Sequence, residues 1–217
     1  ERPVLATPLP TLEGFSLLVD SGANVDCNPQ YLYQFAQMGS IYAKNVLDLE
    51  NPRVGLINIG AEKEKGNMLT KESYALLEES SMNFVGNVEA RNIPYGEADV
   101  LVCDGFIGNT VLKLYEGVSK TLMKAMKEEL TKGLYVLPTL ALAKPFSRLK
   151  HRFDADEIGG APSIGLKQLV VKAHGSSKEK AIYHAIRQCK TFMEHDVTAQ
   201  IAAAVQAEKS EDNAEKE

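Results

Sequence analysis

Long apolar runs are missing from this 217-residue chain, so no stretch of it is able to span a bilayer, and its first residues carry no secretory-leader pattern. Cysteine is scarce. Cys27, Cys103 and Cys189 form an odd, scattered set without metal-ligand spacing, which fits a reducing intracellular setting and not a disulfide framework. Basic excess is absent too: 24 Lys and Arg stand against 29 Asp and Glu, a net charge of −5 that argues against bulk nucleic-acid binding. Neither a Walker lysine loop nor a Gly-x-Ser-x-Gly elbow occurs, and there is no internal repeat. The carboxylates are scattered, whereas a 2-hydroxy-acid dehydrogenase needs a cluster of them for its divalent metal. What remains is a globular composition, 44% hydrophobic and 24% charged, with material for one good core.

What the chain does have is a repeated local pattern. Four times an apolar run ends in a Gly-, Asn- or Ser-rich turn that opens a helix. Phe15–Val19 leads into Asp20-Ser21-Gly22-Ala23-Asn24, and Val54–Ile59 into Gly60 through Asn67. Asp99–Cys103 leads into Asp104-Gly105-Phe106-Ile107-Gly108-Asn109, and Leu169–Ala173 into His174-Gly175-Ser176-Ser177. In an open parallel sheet all such turns lie beyond the carboxyl ends of the strands, where ligands bind. Helix starts with unpaired N–H groups, and glycines that admit a close approach, suit an anion.

Between these runs the periodicity predicts helices over Pro29–Leu49, Leu69–Ser81, Asn109–Leu130 and Ser176–Ala207, with a short strand at Asn83–Val88. In the first helix Leu32, Phe35, Ala36, Tyr42 and Val46 form the apolar face, and Pro29 suits a helix start. Glu1–Gly14, with three prolines, reads as an extended lead-in, and Gly159-Gly160-Ala161-Pro162 as a loop. The expected architecture is a doubly wound α/β domain with a mostly parallel sheet over residues 1–208. A helical, hydrophobic tip protrudes over 120–152, and a disordered acidic tail follows over 209–217. The chain starts at Glu1 without a methionine, so a fragment of a longer protein is expected.

Several residues could carry chemistry. Lys65, between Gly60 and Gly66, could neutralise an anion, although a lone lysine there is more often part of a solvated charged loop. Asn109 reads as an N-cap, a role that by itself requires no catalysis. Asp104 can orient a partner or repel a phosphate. His174 ends a β-branched run, where a core histidine and a titrating one are both reasonable. Cys103 closes an apolar strand, as a buried hydrophobe does, and a Cys–His thioester mechanism is the competing reading.

Longer strings add to this. Glu1-Arg2-Pro3, Asp20 through Asp26, Asn51 through Leu56, Asn87-Val88-Glu89-Ala90-Arg91, Ala98–Asn109 and Lys172 through Ser177 together resemble the phosphate acyltransferase family, PlsX. The resemblance runs to the last helix but covers only the carboxyl-terminal two thirds of that family. It implies a fold like that of phosphotransacetylases and isopropylmalate dehydrogenases. It also implies reversible formation of acyl-phosphate from acyl-[acyl carrier protein] and inorganic phosphate, in bacterial phospholipid synthesis. A downstream membrane acyltransferase then passes the acyl group to glycerol 3-phosphate. By resemblance Lys65, Asn109 and His174 are catalytic, and Asn24, Asp104, Gly108 and Ser176 line the phosphate and substrate crevice. His174 would either protonate the leaving thiolate or donate a hydrogen bond. Neither metal nor organic cofactor is expected.

The resemblance further implies a cytoplasmic homodimer, for which Leu112, Leu122 and Met126 offer apolar surface. Around Gly133–Arg152 the charge reverses. Eight Lys or Arg against two Glu between Lys120 and Arg152 give a local balance of +6, so the remainder carries about −11. With Pro138 and Pro145 breaking any continuous helix, this segment reads as a tip between two helices. Its Leu134, Leu137, Leu140, Leu142 and Phe146 would make peripheral membrane contact. The competing reading is a silent fragment that binds a membrane or acyl carrier protein.

Overall fold

The computed structural model describes residues 2–133, 142–152, 160–173 and 177–214. The strands are β1 (Val4–Pro10), β2 (Phe15–Val19), β3 (Val54–Asn58), β4 (Phe84–Glu89), β5 (Val100–Val102), β6 (Ala161–Ile164) and β7 (Val170–Lys172). They form a single sheet in the order β4-β3-β5-β2-β1-β6-β7. The helices are α1 (Pro29–Val46), α2 (Met68–Glu79), α3 (Gly105–Leu130), α4 (Ala143–Arg152), α5 (Glu179–Glu194) and α6 (Val197–Ala214). A 3-10 turn, Ala90–Tyr95, leads into β5.

The strands β2, β5, β3 and β4 are mutually parallel, as strand–helix alternation dictates. Their side chains alternate between two cores. Leu17, Val19, Val54, Leu56, Val100 and Val102 face α1, whereas Leu18, Ile57 and Leu101 face the side where Val111, Leu112 and Tyr115 of α3 pack. Leu32, Phe35, Ala36 and Tyr42 of α1 are buried as their spacing predicted. Gly39 lets α1 sit against the strands, since a β-carbon there would be 2.7 Å from Val100. At the amino end of β3, the Arg53 guanidinium grips Asp99 at 2.9 and 3.1 Å and the Gly96 carbonyl at 2.9 Å, tying β3 to the approach of β5.

The other half of the sheet differs from the expectation. The lead-in is a sheet strand: β1 runs antiparallel to β2, with Val4, Ala6 and Leu9 buried. Among the described residues β6 pairs only with Val4 and Leu5, so the part of β1 with Pro8 and Pro10 has a described neighbour on one side only, where proline is tolerated. Ala161-Pro162, read as a loop, begins β6, which pairs antiparallel with β7. β7 therefore runs against β2, β3, β4 and β5, and its carboxyl end points away from theirs. The turns after β2, β3 and β5 follow parallel strands and share one end of the sheet, while most of the fourth turn, residues 174–176, lies outside the described residues.

The long carboxyl-terminal helix is two helices, broken at His195-Asp196, with Asp196 left-handed at φ 48°. α6 continues to Ala214, into the segment read as an acidic tail. α3 and α4 flank residues 134–141, which lie outside the described residues. Pro145 falls in the first turn of α4, where its missing N–H costs little. Among the described residues no helix is long and apolar enough to cross a membrane.

Candidate active site

The turn after β2 is built around one carboxylate. Asp20, fully buried, accepts N–H bonds from Leu5 (3.2 Å), Gly22 (3.0 Å), Ala23 (3.0 Å) and Asn24 (2.6 Å), and a further one from the Asn24 side-chain amide (2.9 Å). Burying a carboxylate is costly unless donors surround it, and here they do. The second hydrogen of the Asn24 amide goes to the Pro3 carbonyl at 2.9 Å. Both amide hydrogens of Asn24 thus serve the loop itself, and the Val19–Asp20 peptide bond is cis.

Against this loop sits the start of α3. The structure corrects the reading of Asn109 as its N-cap. The cap is Asp104, whose carboxylate accepts from the Ile107 N–H at 2.9 Å, so Asn109 lies inside the first turns. Gly105 and Gly108, read as turn residues, are helical because the helix touches backbone there. A β-carbon on Gly105 would stand 2.7 Å from the Asn24 carbonyl oxygen, and one on Gly108 would stand 1.8 Å from that of Asp20. The Gly105 N–H donates to Asn24 at 2.6 Å. Asn109 is exposed, and its side chain lies over Gly22, 3.2 Å from where a β-carbon there would be. Beneath them Cys103 is buried. Desolvation, with Asp104 and Asp20 adding negative charge nearby, pushes its thiol well above the ordinary range. Cys27, half-buried against the same loop, is pushed up to about 11, first by burial and then by the same two carboxylates. Neither thiol is poised as a thiolate.

The turn after β3 carries Lys65, exposed at the sheet end adjoining β5. Its stem crosses Gly60, where a β-carbon would stand 3.0 Å away. Lys63 pairs with Glu78, while no described residue pairs with the Lys65 ammonium. Two strand asparagines hold this turn from below. Asn58 donates to the Lys65 carbonyl at 3.1 Å, and Asn87 donates to the Glu62 carbonyl at 2.9 Å.

The structure thus brings the Lys65 turn, the Asp104–Asn109 helix start and the Asp20–Asn24 loop to the carboxyl ends of three adjacent strands, β3, β5 and β2. Neighbouring strands lie about 5 Å apart, so these turns stand side by side at one end of the sheet. Three helix starts carry a side-chain cap, whereas the start of α5 at Lys178 has no side-chain cap bond. Asn28 caps α1 through Tyr31, Asn67 caps α2 through Thr70, and Asp104 caps α3. His174 and Ser176 lie outside the described residues, as do Leu134, Leu137 and Leu140. Leu142 is exposed and Phe146 half-buried. Of the apolar α3 residues read as surface, Leu122 is exposed, whereas Leu112 packs on the second core. Among the described residues no three His, Cys, Asp or Glu side chains group as a metal site. Sequence reasoning missed Asp20, Asn58 and Asn87 as the residues that shape the site. Their one signal is a polar side chain at or near a strand end.

A family model described as "Fatty acid synthesis protein" matches residues 1–200. A phosphate acyltransferase of Thermoanaerobacterium thermosaccharolyticum is 49% identical over 207 residues, covering 95% of this chain and 62% of that protein. One of Clostridium perfringens is 50% identical over 218 residues, 100% of this chain and 64% of its own length, and one of Bacillus pumilus is 51% identical over 210 residues. The chain therefore spans under two thirds of the length of these relatives. A branched-chain phosphotransacylase from Enterococcus faecalis shares the fold, with a TM-score of 0.51 at 17% identity over 88% of this chain and 65% of that one.

Proposed function

The chain belongs to the fatty acid synthesis protein family, whose phosphate acyltransferase members match about half of its residues, and from that premise we propose that the full-length protein makes acyl-phosphate. The substrates are acyl-[acyl carrier protein] and inorganic phosphate, and the product feeds a membrane acyltransferase of phospholipid synthesis. The observation that supports this reading is that the Lys65 turn and the Asn109 helix start follow adjoining strands, β3 and β5, at the same end of the sheet. One side supplies an exposed cation for phosphate, the other an amide donor for an oxyanion.

In the proposed reaction a phosphate oxygen attacks the thioester carbonyl carbon. Lys65 holds the phosphate beside it, replacing a chance encounter with a fixed one. The carbonyl oxygen becomes an oxyanion, which the Asn109 amide stabilises. The C–S bond then breaks, and the carrier thiolate leaves and takes up a proton. By the resemblance His174 either gives that proton or steadies the sulfur by hydrogen bonding, with Ser176 in the same segment; because β7 runs against the strands that end at the site, this role requires residues 174–177 to reach back to it. Asn24, Asp104 and Gly108 shape the crevice wall. No enzyme thioester is needed, which agrees with the buried, proton-holding Cys103.

Two features extend the reading to its setting in the cytoplasm. Ile107, Leu114, Val118 and Leu122 leave an apolar stripe exposed along α3, which we assign to a homodimer contact. The basic helix α4, with Leu142, Phe146 and Leu149 at helical spacing, is assigned to peripheral membrane contact together with Leu134, Leu137 and Leu140. The decisive experiment supplies the full-length protein with acyl carrier protein thioester and phosphate. Phosphate-dependent release of carrier thiol with formation of acyl-phosphate supports the reading. A folded protein that binds carrier protein or vesicles but turns nothing over is a silent binding module instead.

A further inference from the structure

The turn that bears Lys65 does not hold its own shape. It is seven residues long, from Gly60 to Gly66, and Lys65, Glu62, Lys63 and Glu64 are all exposed. Internally the Lys65 N–H reaches the Glu62 carbonyl at 3.1 Å. Lys63 also pairs with Glu78 of α2, and the backbone carbonyls of the turn are anchored from the strands beneath. The Asn58 amide, at the end of β3, donates to the Lys65 carbonyl at 3.1 Å and to the Asn87 side-chain oxygen at 3.1 Å. Its own oxygen accepts from the Ile59 N–H at 2.8 Å. Asn87, on the edge strand β4, completes the chain by donating to the Glu62 carbonyl at 2.9 Å.

The orientation of both amides follows from their partners. Reversing Asn87 would set its oxygen against the Glu62 carbonyl, and reversing Asn58 would set its oxygen against that of Lys65. Asn87 is only 6% exposed, in a strand where asparagine is a poor choice and a β-branched residue would pack better. The glycines close the arrangement. A β-carbon on Gly66 would come 2.5 Å from the Asn58 oxygen and 2.0 Å from the Thr70 hydroxyl, and at φ +98° the position favours glycine regardless.

We propose that Asn87 and Asn58 are positioning residues for Lys65, a relay that fixes the lysine-bearing turn over the ends of β3 and β4 so that its cation meets phosphate in one place. Neither touches substrate in this scheme; both act through backbone carbonyls of the turn. The proposal rests on the reading that Lys65 binds phosphate. It predicts a KM effect for phosphate that exists only while Lys65 is present, because a loosened turn has nothing left to misplace once the ammonium is gone.

The test uses the full-length protein with Asn87→Ala and, in case that buried change impairs folding, the less buried Asn58→Ala, each alone and combined with Lys65→Ala. Amide hydrogen exchange of residues 60–66 is read beside the phosphate KM and kcat. Expected are exchange at least tenfold faster within 60–66, a phosphate KM raised about tenfold with a smaller change in kcat, and no further KM change when either asparagine variant is added to Lys65→Ala. Unchanged exchange in the turn overturns the proposal, and so does an asparagine effect that persists undiminished without Lys65. If Lys65→Ala itself leaves the phosphate KM intact, the assignment of Lys65 falls, while the exchange data still show separately whether the asparagines hold the turn.

Discussion

Gly108 in α3 faces the backbone of Asp20 so closely that a β-carbon at position 108 would stand 1.8 Å from the Asp20 carbonyl oxygen. The same aspartate gathers the N–H groups of Leu5, Gly22, Ala23 and Asn24 on its carboxylate. One residue therefore fixes the loop after β2 through its side chain and receives the helix after β5 against its backbone. Asn109, next in sequence to Gly108, is placed over Gly22 by that contact.

Gly108→Ala tests this docking. Backbone cannot turn aside as a flexible side chain does, so α3 must shift or the loop must open. A loss of about 3 kcal/mol in unfolding free energy is expected in the full-length protein, with turnover falling because Asn109 moves. Chemical denaturation beside an activity assay checks it. A variant of wild-type stability and turnover would mean that the helix start is free to move.

How legible was this in the sequence? The strand–turn–helix runs of β2, β3 and β5 were, because an apolar run buried on both faces followed by a capped turn leaves few alternatives. The start of α3 was misplaced by four residues, since glycines at 105 and 108 look like turn from local rules. Only the contact with Asp20 and Asn24, over 80 residues earlier, explains why a helix needs them. β1 was hidden by its prolines, which lie beyond the stretch of β1 that the described part of β6 pairs with. The break at His195-Asp196 has neither glycine nor proline to announce it, and the reversal of β7 depends on a hairpin partner whose own signal, Ala161-Pro162, reads as loop. In the site, Lys65 and Asn109 stood out by type and setting. Asn58 and Asn87 did not, because their work is a set of hydrogen bonds across β3 and β4 that no local pattern encodes.

A second prediction concerns acid stability. Burial by itself would raise the Asp99 carboxyl, but the Arg53 side-chain and backbone hydrogen bonds and its charge outweigh that and hold the group below its ordinary value of 3.8. A carboxylate depressed on folding stabilises the native state at neutral pH, and that contribution fades as pH falls from 3.8 toward the lower folded value. Asp99→Asn should therefore cost about 1–3 kcal/mol at pH 7, with the gap to wild type closing below pH 3.8. Urea unfolding at a series of pH values measures it. A gap that stays constant into that acid range would show that the Arg53 pairing contributes nothing.

Three substitutions in the full-length protein sort the proposed chemistry. Lys65→Ala and Asn109→Ala should each lower turnover on the order of a hundredfold with unchanged circular dichroism, since one removes the phosphate's cation and the other the oxyanion's donor. Cys103→Ser should keep most of the activity, because its thiol is buried and held protonated. Near-normal turnover in either of the first two removes that residue from the mechanism. A folded but dead Cys103→Ser enzyme would restore a covalent route.

The last prediction concerns the membrane. α4 spaces Leu142, Phe146 and Leu149 as one stripe, the two leucines exposed, with exposed Lys144 and Arg148 beside them. An amphipathic helix of this kind lies in the interface plane, and each basic residue near anionic headgroups contributes roughly 1 kcal/mol of attraction. At ten residues α4 is too short to hold the protein there alone, so the adjoining leucines at 137 and 140 are assigned the rest of the insertion. Leu137→Asp with Leu140→Asp should release the full-length protein from anionic phosphatidylglycerol vesicles while leaving activity on soluble carrier thioester within about twofold. Raising salt should weaken wild-type binding, as screening predicts for the basic flank. If the double variant still sediments with vesicles, the tip is not the anchor, and the exposed stripe of α3 becomes the surface to test next.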